Sequence, residues 1–170
     1  MSIASTFGFS SGALAKTAEK FEIEKTEDEW RKTLTPMQYA VLREKATERP
    51  FSGEYEHTHT PGTYICAGCG QTLFESDAKF DSGCGWPSFT QPLDQDAIVE
   101  RKDRRFFMVR DEVRSKNGDA HLGHVFEDGP APTGLRYCIN SAALRFIPLE
   151  KLADEGYGEY VKLFQSAALQ

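Results

Sequence analysis

No segment of this 170-residue chain comes near the roughly 18 consecutive apolar residues that a helix needs to cross a bilayer. Positive charge is also scarce: 20 Lys and Arg stand against 26 Asp and Glu, giving a net charge of −6 and a pI near 5.3. A nucleic-acid partner needs a basic face, and the one basic cluster, RKDRR at 101–105, reads as a solvated turn. Four cysteines are too few for a disulfide scaffold at this length. The opening MSIASTFGFSSGALAK has no Arg, no basic stretch and no apolar block of a secretory leader. Residues 1–24 therefore read as a flexible arm, and the thiols as reduced in a cytoplasmic protein, with an organellar leader as the other reading. No internal repeat is evident. With 39% hydrophobic and 27% charged residues the rest has the proportions of a soluble globular protein, and 25–170 reads as one domain.

Thr26 followed by Glu29 is a capping box, which places a short helix there with Trp30 and Leu34 on one face. Thr35, Pro36 and Gln38 repeat the signal ahead of a second helix, striped by Met37, Ala40, Val41 and Leu42 and ended by Arg49-Pro50. From there to about Pro148 the segments TYIC, TLF, AIVE, RFFMV, LGHVF, YCIN and AALRF are short, aromatic or β-branched, and punctuated by Gly, Pro, Asn and Asp. They read as strands of antiparallel sheets. Tyr160, Val161, Leu163 and Phe164 suggest one more short helix. The expected fold is mainly β, with short N-terminal helices and a short C-terminal one.

Chemistry is carried by the thiols and what flanks them. Cys66 and Cys69 in CAGCG have the spacing of half a zinc knuckle. A closed site needs four ligands; a second such pair is absent, and His57 and His59 are not read as completing one. Cys84, in DSGCGWPSF, lies between two glycines in a loop, where it is either a small hydrophobe in a turn or an accessible thiol beside the stiff Trp86-Pro87. Cys138, in RYCINSAALRF, sits on a strand, where a cysteine is ordinarily core filling. Yet Arg136 and Asn140, two residues to either side, share its face, and that face is poorly suited to a hydrophobic layer. Arg136, or His121 and His124 of HLGHVF, could lower a thiol pKa from about 8.5 and exchange protons near neutrality. Either histidine could equally be a core residue bonded to backbone.

KFDSGCGWPSF (79–89), HLGHVF (121–126), DGPAPTG (128–134) and RYCINSAALRF (136–146) together resemble the B-type methionine sulfoxide reductases, over about Glu27 to Phe146. The resemblance implies two antiparallel sheets and reduction of the R epimer of methionine sulfoxide, preferably within proteins. It implies Cys138 as nucleophile and Cys84 as resolving cysteine. Trp86 and Phe126 would bind substrate, and His121, His124 and Asn140, with Arg136 nearby, would bind and protonate the sulfoxide oxygen. Cys138 would become a sulfenic acid, condense with Cys84, and be recycled by thioredoxin. Zinc-containing members carry a second CxxC just before HLGHVF; here Ser115 and Gly118 stand in those places, which implies a metal-free monomer that retains Cys66 and Cys69, with an auxiliary resolving pair as the other reading of those two thiols. Two other readings remain: a non-catalytic binding module on the same β-fold, and a reductase of free methionine sulfoxide.

Overall fold

Residues 20–167 are described by the structure, a computed structural model. Most of the expected arm, residues 1–19, lies outside them. Its described end is docked: the Ile23 amide donates to the Asn117 carbonyl at 2.9 Å and the side chain packs on the core.

Both capping boxes form. Thr26 caps α1 (Glu27–Thr33) and Thr35 caps α2 (Pro36–Glu44), each side chain accepting from the third helical amide while Glu29 or Gln38 reaches back. Trp30 and Leu34 are buried as expected, but α2 buries Tyr39, Val41 and Leu42 and leaves Met37 exposed. The helix stops at Lys45, a left-handed C-cap with φ 59°, five residues before Pro50. The tail forms α3 (Val161–Ala167).

Among the described residues, nine strands follow the first two helices: β1 (Gly62–Cys66), β2 (Thr72–Glu75), β3 (Lys79–Phe80), β4 (Ser88–Phe89), β5 (Ile98–Asp103), β6 (Arg110–Ser115), β7 (His121–Phe126), β8 (Arg136–Ile139) and β9 (Leu144–Pro148). They make two wholly antiparallel sheets, ordered β2-β1-β9 and β3-β4-β8-β7-β6-β5. The sheets meet through aromatic residues. Phe74 of β2 stacks on Phe89 of β4 at 4.3 Å between ring centroids, and Tyr64 of β1 meets Phe89 edge-on at 5.1 Å. Such pairs add about 1 kcal/mol each beyond the area they bury. Trp30 and Leu42 close this core from the helices, while Ile65, Ile147 and Leu152 form a smaller one under the C-terminal segment.

Three local readings are corrected and one missed strand is added. RFFMV is no strand: Phe106 and Phe107 both have positive φ, and they form the turn between β5 and β6. RKDRR is only partly a turn, since Arg101, Lys102 and Asp103 end β5, where Asp103 is buried. β6 was hidden because RDEVRS carries four charges and one large apolar side chain; pairing on both sides, together with ion pairs, makes it a strand. AALRF begins with a turn of 3₁₀ helix, Ser141–Ala143, before β9.

Candidate active site

The six-stranded sheet sets the site by register. In β8, Tyr137 and Ile139 face the core while Arg136 and Cys138 face the other way, so the alternation expected from the sequence holds. Cys138 pairs directly with His124 on one side and with Ser88 on the other, and His124 pairs with Glu112. Directly opposed residues share a face about 5 Å apart at Cβ, which makes Ser88, Cys138, His124 and Glu112 one polar row across four strands. Gly123 permits the close approach of β7 and β8: a Cβ there would lie 2.0 Å from the Cys138 carbonyl oxygen.

His121 and His124 are three residues apart, a spacing that would put them on opposite faces of a regular strand. A register shift against β6, between Val113 and Arg114, brings their rings to 5.5 Å between centroids. Each is held by a buried carboxylate: His121 Nδ1 lies 2.6 Å from Glu112 Oε2, and His124 Nε2 lies 2.8 Å from Asp103 Oδ2. Lys45 Nζ, on the C-cap of α2, bridges Asp103 at 3.2 Å and Glu112 at 3.4 Å. Although burial opposes ionisation, hydrogen bonds and cations win, so Asp103 falls well below the usual carboxylate range and Glu112 falls to about 2. Both carboxylates must therefore accept, and the ring nitrogens facing them donate. Burial lowers both histidine pKa values against the pull of those carboxylates, so the neutral rings carry one proton each. His124 then keeps Nδ1 as an acceptor.

A cavity of about 90 Å³ is lined by Cys138, His124, Asn140, Trp86, Phe126, Gly123, Arg110 and Thr47. His121 lies behind it, its Nε2 buried with no hydrogen-bond partner among the described residues. The Trp86 indole is fixed as a wall by donating to the Glu48 carbonyl at 3.0 Å. Asn140 donates to the Leu122 carbonyl at 3.0 Å and accepts the Glu48 amide at 3.1 Å, which leaves its second Nδ2 proton. Arg136 makes a two-point contact with Asp128 at 2.9 and 3.0 Å and stacks over Phe126 at 4.5 Å.

Cys84 reaches Cys138 from the Gly83–Gly85 loop, sulfur to sulfur 3.7 Å, across 54 residues of sequence. Burial and the neighbouring Cys84 sulfur push the Cys138 thiol up to about 12, and the downward pull of Arg136 does not offset them. The Cys84 thiol is shifted down: burial opposes this, but hydrogen bonds from Ser82 at 2.9 Å and from Ser88 outweigh it. At neutral pH the loop sulfur is the readier thiolate, and Cys138 holds its proton.

The second thiol pair lies elsewhere. Cys66 and Cys69 touch, with the shared hydrogen bond moving Cys69 down and buried Cys66 up. Cys69 packs on Gly118, where a Cβ would sit 3.2 Å from its sulfur and 3.6 Å from Ser115 Oγ. Four positions converge, yet two carry no thiolate, and no group of three or more His, Cys, Asp or Glu suited to a metal exists among the described residues. The residues do not fit a closed zinc site. His57 and His59 pair instead with Glu56 and Asp81. Ser115 lies opposite the start of β7, and about four residues of strand, roughly 13 Å, separate that level from the one at His124 and Cys138.

Sequence reasoning missed Asp103, Glu112, Glu48, Arg110, Thr47 and Gly123. Asp103 sat in the basic cluster read as a solvated turn, and Glu112 in a charged segment that carried no strand signal. Glu48 accepts the Ser141 and Ala142 amides at 2.7 and 2.9 Å and so ties the loop after α2 to the site, a role for which the sequence offers no periodic signal.

The SelR domain family matches residues 34–148. A protein of Bradyrhizobium diazoefficiens called peptide methionine sulfoxide reductase MsrB is 64% identical over 136 residues, 80% of this chain and 97% of that protein. Proteins of the same name from Pseudomonas fluorescens and Hahella chejuensis are 58% and 56% identical, over 75% and 74% of this chain and 98% and 90% of their own lengths. No helix among the described residues is long and apolar enough to cross a membrane. The match across both sheets and the whole cavity, at these identities, makes the chain a member of the B-type methionine sulfoxide reductases, oxidoreductases that reduce methionine sulfoxide.

Proposed function

We propose that this protein reduces the R epimer of methionine sulfoxide within polypeptides, with Cys138 as nucleophile and Cys84 as resolving thiol, in a metal-free, monomeric, cytoplasmic cycle recharged by a thioredoxin-type dithiol. The observation that carries this reading is the 3.7 Å approach of Cys84 to Cys138 at the floor of a cavity walled by Trp86 and faced by His124 and Asn140. The substrate's methyl group would lie against the indole and its oxygen toward the two polar side chains.

A protonated Cys138 suits the chemistry. Its proton passes to Nδ1 of His124, its sulfur attacks the sulfoxide sulfur, and the imidazolium, held by Asp103, returns the proton to the oxygen as negative charge develops there. Asn140 donates its free Nδ2 proton to the same oxygen. Net oxygen transfer converts the thiol and the sulfoxide to a Cys138 sulfenic acid and methionine, so oxygen and the thiol proton both end on Cys138. The lowered Cys84 thiol then attacks the sulfenic sulfur; the S–S bond forms, the S–O bond breaks and water leaves. Closing 3.7 Å to a disulfide length of about 2.05 Å requires side-chain rotation of about 1.7 Å. A dithiol reductant reopens the bond by exchange.

Coupled turnover with thioredoxin, thioredoxin reductase and NADPH on separated epimers tests this. Turnover of the R epimer only, faster on oxidised peptides than on the free amino acid, is the expected result. Turnover of S, or exclusive use of the free amino acid, contradicts it.

A further inference from the structure

The turn between β5 and β6 has a shape its residues do not favour. The Met108 amide donates to the Arg105 carbonyl at 3.1 Å, and the two residues between, Phe106 and Phe107, have φ of 55° and 61°. Two consecutive left-handed residues in a two-residue hairpin loop describe the turn that Asn-Gly fills most readily, and bulky side chains adopt it at a conformational cost. Burial does not compensate. Phe106 is 79% exposed, Phe107 fully so, and Met108 and Val109 follow at 51% and 66%. Scattered apolar residues on a surface need no explanation, but four in a row on a strained tip do.

The position of the tip identifies what it meets. A hollow of about 310 Å³ runs from Phe106 and Arg105 past Lys45 to Thr47, Arg110 and His124, and the last three also line the cavity over Cys138. That cavity, at about 90 Å³, has room for the sulfoxide end of one side chain. The rest of any polypeptide bearing it must cross the rim. Lys45 and Arg110 on that rim already answer Asp103 and Glu112, and Arg105 donates to the Lys45 carbonyl at 3.4 Å, so the hollow is not organised around a second anion. Methionine is an interior residue whose neighbours are commonly apolar. When a damaged host protein is extended, those neighbours are what the rim receives.

We propose that the Phe106–Phe107 turn is a second substrate subsite, which takes apolar side chains flanking an oxidised methionine in an extended polypeptide. This rests on the catalytic reading of the adjoining cavity. It makes discrimination between polypeptide and free amino acid a property of the turn, separate from the chemistry at Cys138.

The test exploits the turn's own strain. The double variant Phe106→Asn with Phe107→Gly supplies the residues this turn favours, so its melting temperature should equal or exceed that of the native chain. Steady-state kinetics are measured for free methionine-R-sulfoxide, for a peptide with the sulfoxide between Leu and Phe, and for one with it between Gly and Ser. The expected result is a fall of about tenfold in kcat/KM on the Leu/Phe peptide, carried by KM, with the other two substrates within twofold. Unchanged kinetics on the Leu/Phe peptide, or an equal fall on all three substrates, would overturn the subsite. If the native chain turned over none of the three, the catalytic reading would fail and take the subsite with it.

Discussion

Two pairs of thiols touch in this fold, and their surroundings differ more than their geometry does. Cys66 and Cys69 are three residues apart on one tight turn, against Ser115 and Gly118. Cys84 and Cys138 meet from 54 residues apart, and Cys138 opens onto a cavity with an indole wall, an amide and a histidine backed by a buried carboxylate. A pair of sulfurs in contact is common to both regions. What separates them among the described residues is the polar-lined cavity beside Cys138, which under the proposed function receives the substrate sulfoxide. The sequence motif that draws the eye as redox-active or metal-binding, CAGCG, lies apart from the cavity beside Cys138, and its Cys66 is buried.

Substitutions at the two thiol pairs should have unequal effects. The largest expected effect is that of Cys138→Ser, which should lower reduction by at least about 10³-fold in a coupled assay, since Cys138 is the one thiol among the described residues that line the cavity. Next, Asp103→Asn should cut kcat by about 10²-fold by misdirecting the His124 tautomer, and peptide KM should stay within twofold. Cys84→Ser should retain one full turnover, read as methionine formed per chain by rapid quench, while thioredoxin-driven cycling slows by about tenfold or more. The smallest effect belongs to the other pair: Cys66→Ser with Cys69→Ser should leave cycling within about twofold. A loss as large as that from Cys84→Ser would make the two regions one redox relay.

Acid should damage the two regions unequally as well. Asp103 and Glu112 ionise in the fold at lower pH than in the unfolded chain, so their contribution is full above the ordinary carboxylate range and fades as pH falls toward the Glu112 value of about 2. His121 and His124 titrate below 6.5 in the fold, so the unfolded chain also takes up their protons first as pH drops. Both effects have the same sign. The melting temperature should fall steadily from pH 7 to pH 3, and Glu112→Gln should flatten the lower part of that profile, as followed by calorimetry.

Much of this was legible in the chain. Capping boxes are local chemistry, so both helix starts could be read to the residue; strand alternation is equally local and placed Cys138 and Asn140 toward one cavity, while Arg136, expected beside them, turns to Asp128 and the Phe126 ring. The stop of α2 could not be read, because Lys45 takes a left-handed cap that lets its ammonium reach two carboxylates far along the chain. Nor could β6: charges that look solvated in RDEVRS are satisfied by partners on β5, β7 and α2. The same long-range pairing hid Asp103 inside a run of basic residues. RFFMV failed for the opposite reason, since its composition favours a strand while the hairpin geometry demands a turn.

The most direct test of the central claim, that the chemistry resides in the Cys84–Cys138 pair, is a single turnover without reductant. Fully reduced protein is mixed with the R or the S sulfoxide, the remaining thiols are counted, and linked peptides are mapped by mass spectrometry. The expected result is two thiols lost per chain with R only, one methionine formed, and a Cys84–Cys138 link. A Cys66–Cys69 link formed in step with methionine, or no thiol loss with either epimer, would contradict it.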